Sequence, residues 1–246
     1  MKNSNPVFNN AIFTKPQRLS GSETMTVSGT LTKSFYLLFL VIASSLSTWL
    51  YLMITHNFQT VTLFAIVGTV GSLILGFIAI FKPQSCHVTA PLYAVFEGFA
   101  LGAITTLLAQ TYGGIAFQAV SLTMGVAFAM LASYKFGLIQ ATERFRSILT
   151  VATGGIFVVY MASMLLNLFG IHLPFFRSGL FGIIFSLIVI GVAALNLILD
   201  FDNIERGANA GAPAYMEWVG AFGLMVTLVW LYWEILRLLT ILRGDD

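Results

Sequence analysis

Long apolar stretches alternate along the chain with short polar breaks, and the pattern predicts helices that cross a membrane. A helix needs about 20 predominantly apolar residues to span the hydrocarbon core of a bilayer. Seven stretches reach that length, at roughly 34–55, 62–81, 89–111, 115–134, 147–169, 178–202 and 214–242. The breaks hold residues that end helices: His56-Asn57, Lys82-Pro83-Gln84, Tyr112-Gly113-Gly114, the charged stretch from Lys135 to Arg146, Pro174 with Arg177, and the segment from Gly207 to Pro213. Strands of a membrane barrel alternate apolar and polar residues over short segments, whereas these runs are apolar on every side. The expected fold is all-α, a polytopic bundle of seven transmembrane helices over residues 34–246, preceded by a polar tail of residues 1–33.

Composition agrees with the pattern. The chain is 58% hydrophobic and 9% charged, whereas a soluble domain carries about 25% charged residues. So little charge cannot cover a surface that faces water. The net charge of +2 is small, and no basic run interleaved with aromatics points to nucleic acid. A single cysteine, Cys86, excludes an internal disulfide and a multi-cysteine metal site. His56, His87 and His172 fall at helix ends without metal-ligand spacing and read as interface residues. Trp218, Trp230 and Trp233 are ordinary in a membrane helix, partly as interfacial anchors. No cofactor or metal is expected.

The N-terminal 33 residues lack the short apolar core and cleavage site of a secretory leader, so the first run reads as a retained span. With seven spans, one side of the membrane carries Lys2, Lys15, Arg18, Lys33, Lys82, Lys135, Arg144, Arg146 and Arg206, and the other only Arg177 and Arg243. Positive charge in short loops marks the cytoplasmic side. The tail is therefore expected in the cytoplasm and the C-terminus outside. Gly98 and Gly102 have the spacing that lets two membrane helices approach closely.

Candidate chemistry lies in the acids that fall within the runs, because an ionisable group near the bilayer centre costs about 2.5–3.5 kcal/mol and normally faces the bundle interior. At a rise of about 1.5 Å per residue, Glu97 is expected ~12 Å into the third helix. Asp200 and Asp202 are expected ~9 and ~6 Å from the end of the sixth, and Glu217 ~6 Å into the seventh. All four share one third of the membrane. If they converge, the group can hold a proton or a cation and exchange one for the other. The plainer alternative sets Asp202 against Arg206 one turn on, with Asp202 and Glu217 facing headgroups and water. Glu234 and Arg237, three residues apart toward the other side, read as a structural ion pair.

The segment Leu195-Asn196-Leu197-Ile198-Leu199-Asp200-Phe201-Asp202-Asn203-Ile204-Glu205-Arg206, followed by a final helix ending Glu234-Ile235-Leu236-Arg237, resembles the Bax-inhibitor family of transmembrane proteins, in its bacterial YccA-like branch. Asn5-Pro6-Val7-Phe8-Asn9, Met25-Thr26-Val27 and Glu97-Gly98-Phe99-Ala100-Leu101-Gly102 fit the same branch, and the resemblance covers essentially the whole chain. It implies a seven-helix bundle with the last helix near its centre, in a bacterial inner membrane. It also implies a pH-sensitive cation leak, chiefly of calcium, gated by hydrogen-bonded aspartates on helices six and seven with a basic residue near helix two. Asp200 matches the first aspartate. Aligning from the C-terminal Leu-Arg puts Thr227 at the place of the second, and matching Leu-Tyr-x-acid selects Glu234. Depth favours Glu217 or Glu97. Lys82 is the candidate basic residue.

Two functions are expected from these readings. The first is a pH-sensitive cation leak channel, or a proton-coupled cation transporter, that uses Asp200, Glu97, Glu217 and Asp202. The alternative is a non-conducting regulator that binds a membrane protease or another membrane protein through the polar tail. An enzyme is not expected. Asp200 and Asp202 lie two apart on one helix and point about 200° apart, and no phosphate loop, zinc motif or nucleophile elbow is present.

Overall fold

The computed structural model describes residues 24–170 and 179–244. Asn5-Pro6-Val7-Phe8-Asn9, His172, Pro174 and Arg177 lie outside the described residues. Seven long helices follow one another: α1 (Val27–Thr55), α2 (Phe58–Phe81), α3 (Cys86–Thr111), α4 (Ile115–Lys135), α5 (Glu143–Leu168), α6 (Leu180–Asn209) and α7 (Met216–Gly244). Each is long and apolar enough to cross a membrane. The chain is a multi-pass membrane protein built as a seven-helix bundle.

Local chemistry explains the helix ends. Thr26 caps α1 by accepting from the Gly29 N–H at 2.9 Å, Asn57 caps α2 through Thr60 N–H at 3.1 Å, and Thr142 caps α5 through Phe145 N–H at 3.2 Å. A cap oxygen satisfies one of the four orphan donors of a first turn. Gly114 precedes α4 at φ 75°, a left-handed conformation that suits glycine. Helix boundaries exceed the apolar runs where such caps sit further out. α1 starts at Val27, so residues 27–33 of the expected polar tail are helical, and α6 continues through its charged end to Asn209. Hydropathy marks the hydrocarbon limits, while backbone hydrogen bonding carries the helix past them.

Hydroxyl groups inside the spans turn back onto their own helices. Thr30 donates to Thr26 O at 2.8 Å, Ser34 to Thr30 O at 2.9 Å, Ser44 to Leu40 O at 2.7 Å and Thr123 to Ala119 O at 2.7 Å. With no water in the hydrocarbon core, such internal bonds are how a spanning helix carries serine and threonine.

α7 is the centre. It packs against α1, α3, α4 and α6, and 56% of its spanning window is buried, against 6% for the peripheral α5. Small residues set the other close approaches. Gly98 and Gly102 both face α1. A Cβ on Gly98 would run into the Ser44 side chain and lie 2.5 Å from Val41 O, and one on Gly102 would lie 2.6 Å from Ser45 O. Gly68 of α2 meets α3 in the same way, 2.6 Å from Ala100 N and 2.7 Å from Phe96 O.

Because the neighbour at Gly68 is backbone, Gly68→Val has to push α2 and α3 apart, which is expected to cost about 1–3 kcal/mol. Gly125, with nothing within 4 Å of a Cβ, is the control. Thermal unfolding in detergent should show a lowered midpoint for Gly68→Val and none for Gly125→Ala.

Candidate functional site

The four acids expected to share one level have four separate sets of partners. No three of the described His, Cys, Asp and Glu side chains come together as a metal site would need. Their distances from the helix ends also differ from those counted along the apolar runs, because the helices begin and end elsewhere. Glu97 is eleven residues from the start of α3 and Asp200 nine from the end of α6, about 16 and 14 Å at the helical rise. Asp202 is seven from that end, about 10 Å. Glu217 is only the second residue of α7.

Glu217 closes a clasp on the face where α1 begins. Its Oε1 accepts from Thr26 N and from Thr26 Oγ1, both at 2.8 Å, and its Oε2 pairs with Lys33. Lys33 also lies over the Trp218 ring, 5.4 Å from the centroid. Met25 N donates to Ala212 O at 2.7 Å, and Thr24 bridges to Pro213, so the segment leading into α1 is stitched to the α6–α7 connection. An acid in the first turn of a helix is favoured by the macrodipole. Gly29 leaves the room, since any Cβ there would collide with the Glu217 carboxylate. Glu217 therefore ties α1 to α7.

Asp202 is held by two guanidinium groups, Arg146 of α5 and Arg206 one turn along α6, whose Nε donates at 2.8 Å. Tyr134 of α4 donates to Asp202 at 3.4 Å and bonds Glu205. Arg206 reaches Glu143 at 3.6 Å and Ala141 O at 3.3 Å. This network fastens α4, α5 and their connection to the end of α6, beside a polar cavity of about 600 Å³. The expected local pair with Arg206 is present, but a second helix supplies the other arginine.

Glu97 is buried between α3 and α7. Trp233 Nε1 donates to it at 3.4 Å, and the Tyr93 hydroxyl, one turn back on α3, lies against its carboxyl. Tyr93 is in turn set edge-on against Phe222 of α7, with ring centroids 5.1 Å apart. Glu234 is buried on the far half of α7. Tyr160 of α5 donates to it, and Arg237 lies 3.6 Å away at i+3 and 2.9 Å from the Tyr160 hydroxyl. Glu234 is thus engaged with α5 and does not face Asp200.

Asp200 is the exception. Its Oδ2 is buried with no hydrogen-bond partner. The polar group that its carboxyl meets is the Thr227 hydroxyl of α7. Thr227 Oγ1 also reaches its own helix, at 3.2 Å from Gly223 O. Thr227, one of the alternatives read from the sequence, is the residue that stands opposite Asp200. Lys82 supplies no counter-charge: it is exposed at the C-cap of α2, a helix that packs on α3 and α1.

Of the residues that complete these sites, Lys33, Arg146, Tyr134, Glu205, Tyr93 and Tyr160 were not singled out by sequence reasoning. Tyr93 was within reach, because i−4 spacing sets it on the Glu97 face of α3. The others meet their partners across helices.

Seven membrane-spanning helices with acids buried between them define the class, a polytopic membrane protein. The chain matches the model of the family described as Bax inhibitor 1 like over residues 5–244, and it belongs to that family. No curated protein and no solved structure matches it.

Removing the Glu217 carboxylate takes away two hydrogen bonds to a charged group, each worth about 1.5–3 kcal/mol, and leaves Lys33 without its partner. Glu217→Ala should speed backbone hydrogen exchange at residues 25–30 and at the start of α7, while Glu234→Gln leaves exchange there unchanged.

Proposed function

We propose that the protein carries cations across the membrane as a pH-sensitive leak or a proton-coupled transporter, with calcium as the chief ion and Asp200 as the switch. The observation that supports this reading is the Asp200 carboxyl, which meets Thr227 of α7 and has a buried Oδ2 without a hydrogen-bond partner. A protonated Asp200 donates to Thr227 Oγ1, which donates to Gly223 O, and every group in that chain is then satisfied. A deprotonated Asp200 is a charge in the bundle interior with no cation beside it. Such a charge is costly, and a bound cation or entering water relieves it. Proton and cation therefore compete for one group, and two arrangements of the α6–α7 interface follow from which of them is present.

Glu97 is the secondary group of this pathway, already holding Trp233 and Tyr93. Asp202 and Glu217 support the interface from its end without taking part in exchange. The positive-inside bias supports a cytoplasmic N-terminus and an outer C-terminus, and the likeness to the bacterial branch supports a bacterial inner membrane.

A non-conducting regulator of a membrane protease or another membrane protein is the second reading. It is favoured by the clasp at Thr24–Thr26, which holds the start of α1 beside the α6–α7 connection. Deleting residues 1–23 separates the two, since it is expected to abolish a regulatory phenotype and to leave ion flux intact.

The test is calcium flux into liposomes that contain the purified protein, measured from about pH 5 to pH 8. Wild-type flux is expected to change across that range. Asp200→Asn should make it independent of pH, and Glu97→Gln should alter its size while leaving the pH dependence in place. A folded protein with no flux at any pH would overturn the reading.

A further inference from the structure

On the side of the bundle away from the clasp, α1 and α4 lean separately on α3 and α7 and leave a groove of about 440 Å³ between them. Along α1 the groove runs from Leu38 to Trp49, and on α4 from Ala116 to Met124. Eleven residues of helix are about 16 Å. Trp49 is six residues from the end of α1 and Ala116 is the second residue of α4, so the groove begins near the membrane surface and ends near mid-bilayer. Its rim is continuous with the outer, bilayer-facing surface of the bundle: Ile42, Leu46, Phe117 and Val120 are all exposed.

The floor asks for an apolar occupant. Thr105 and Tyr232 hydrogen-bond each other at 2.8 Å, and Thr123 bonds its own backbone at 2.7 Å. These three hydroxyls are occupied, Ser45 and Thr106 are the other hydroxyls of the lining, and Leu101 and Leu228 fill much of the remaining floor. Size narrows the choice further. The 440 Å³ open to the centre of a water molecule, spread over about 16 Å, is about 6 Å across and leaves about 9 Å between the walls. A helix, about 10–12 Å wide with its side chains, does not fit. Carbon atoms in contact at about 3.5–4 Å make a polymethylene chain about 4–5 Å across, which does.

We infer that this groove is a binding site for one acyl chain of a phospholipid from the leaflet on the side where α1 ends. The chain would complete the wall between α1 and α4. Trp49 stands at its mouth, where an amphipathic ring suits the boundary between headgroups and hydrocarbon.

The test uses the full-length protein in nanodiscs of phosphatidylglycerol and phosphatidylethanolamine, doped with a phospholipid that carries a photoreactive diazirine in its acyl chain. Adducts are then mapped by mass spectrometry. Wild-type protein should be labelled on the floor, at Leu101, Thr105 and Leu228, as well as on freely exposed positions of α5 such as Phe157 and Val158. Ala109→Phe, which fills the floor, should lose the floor adducts and keep those on α5. Val120→Trp obstructs the exposed rim with little demand on folding and should do the same. Floor residues that take no label in wild type would overturn the proposal. So would floor labelling that survives both substitutions in folded protein.

Discussion

A polar group carried into a bilayer has to find its partner within the protein, because no water is there to serve it. That constraint organises this structure more than any single packing contact. It turns serine and threonine hydroxyls back onto the carbonyls of their own helices. It also gives each buried acid a dedicated setting: Glu217 a threonine and a lysine, Asp202 two arginines and a tyrosine, Glu97 a tryptophan and a tyrosine, Glu234 a tyrosine and an arginine. Two acid oxygens among the described residues are buried without a hydrogen bond, Glu234 Oε2 and Asp200 Oδ2; the first has Arg237 at 3.6 Å, and the second has no ion pair. A charge left unpaired in such surroundings has to be neutralised by a proton or matched by a cation.

The scaffold around Asp200 is made to hold α7 in place. α1 comes close to α3 through Gly98 and Gly102, α2 through Gly68, and α7 occupies the middle with its lower end tied to α1 by the Glu217 clasp. α6 is fastened at its end to α4 and α5 by the arginines around Asp202. Both helices that carry the Asp200–Thr227 pair are therefore anchored at the same face of the membrane. Around the pair, α6 and α7 pack through the buried side chains of Ala193, Ala194, Leu197, Leu224 and Leu228. Glu234 with Tyr160 and Arg237 steadies the far half of α7 against α5 in the same way.

The seven helices were legible in the residue pattern because length and hydropathy alone decide whether a helix can cross a bilayer. The breaks at His56, Lys82, Tyr112 and Gly207–Pro213 and the family likeness were legible for the same reason: both are properties of residues in order along the chain. Helix ends were less so, since Thr26 and the charged turn after Asp202 continue the backbone ladder beyond the apolar run. Depth read from hydropathy therefore brought Glu97, Asp200, Asp202 and Glu217 to one level as if they formed a group. What only the tertiary structure decided is which way each of them faces. Helical rise sets a residue's level, but its partners come from other helices, and those are chosen by how the helices rotate and pack. The packing divided the acids among four sets of partners, set Thr227 opposite Asp200, sent Glu234 to α5 and left Lys82 exposed on α2.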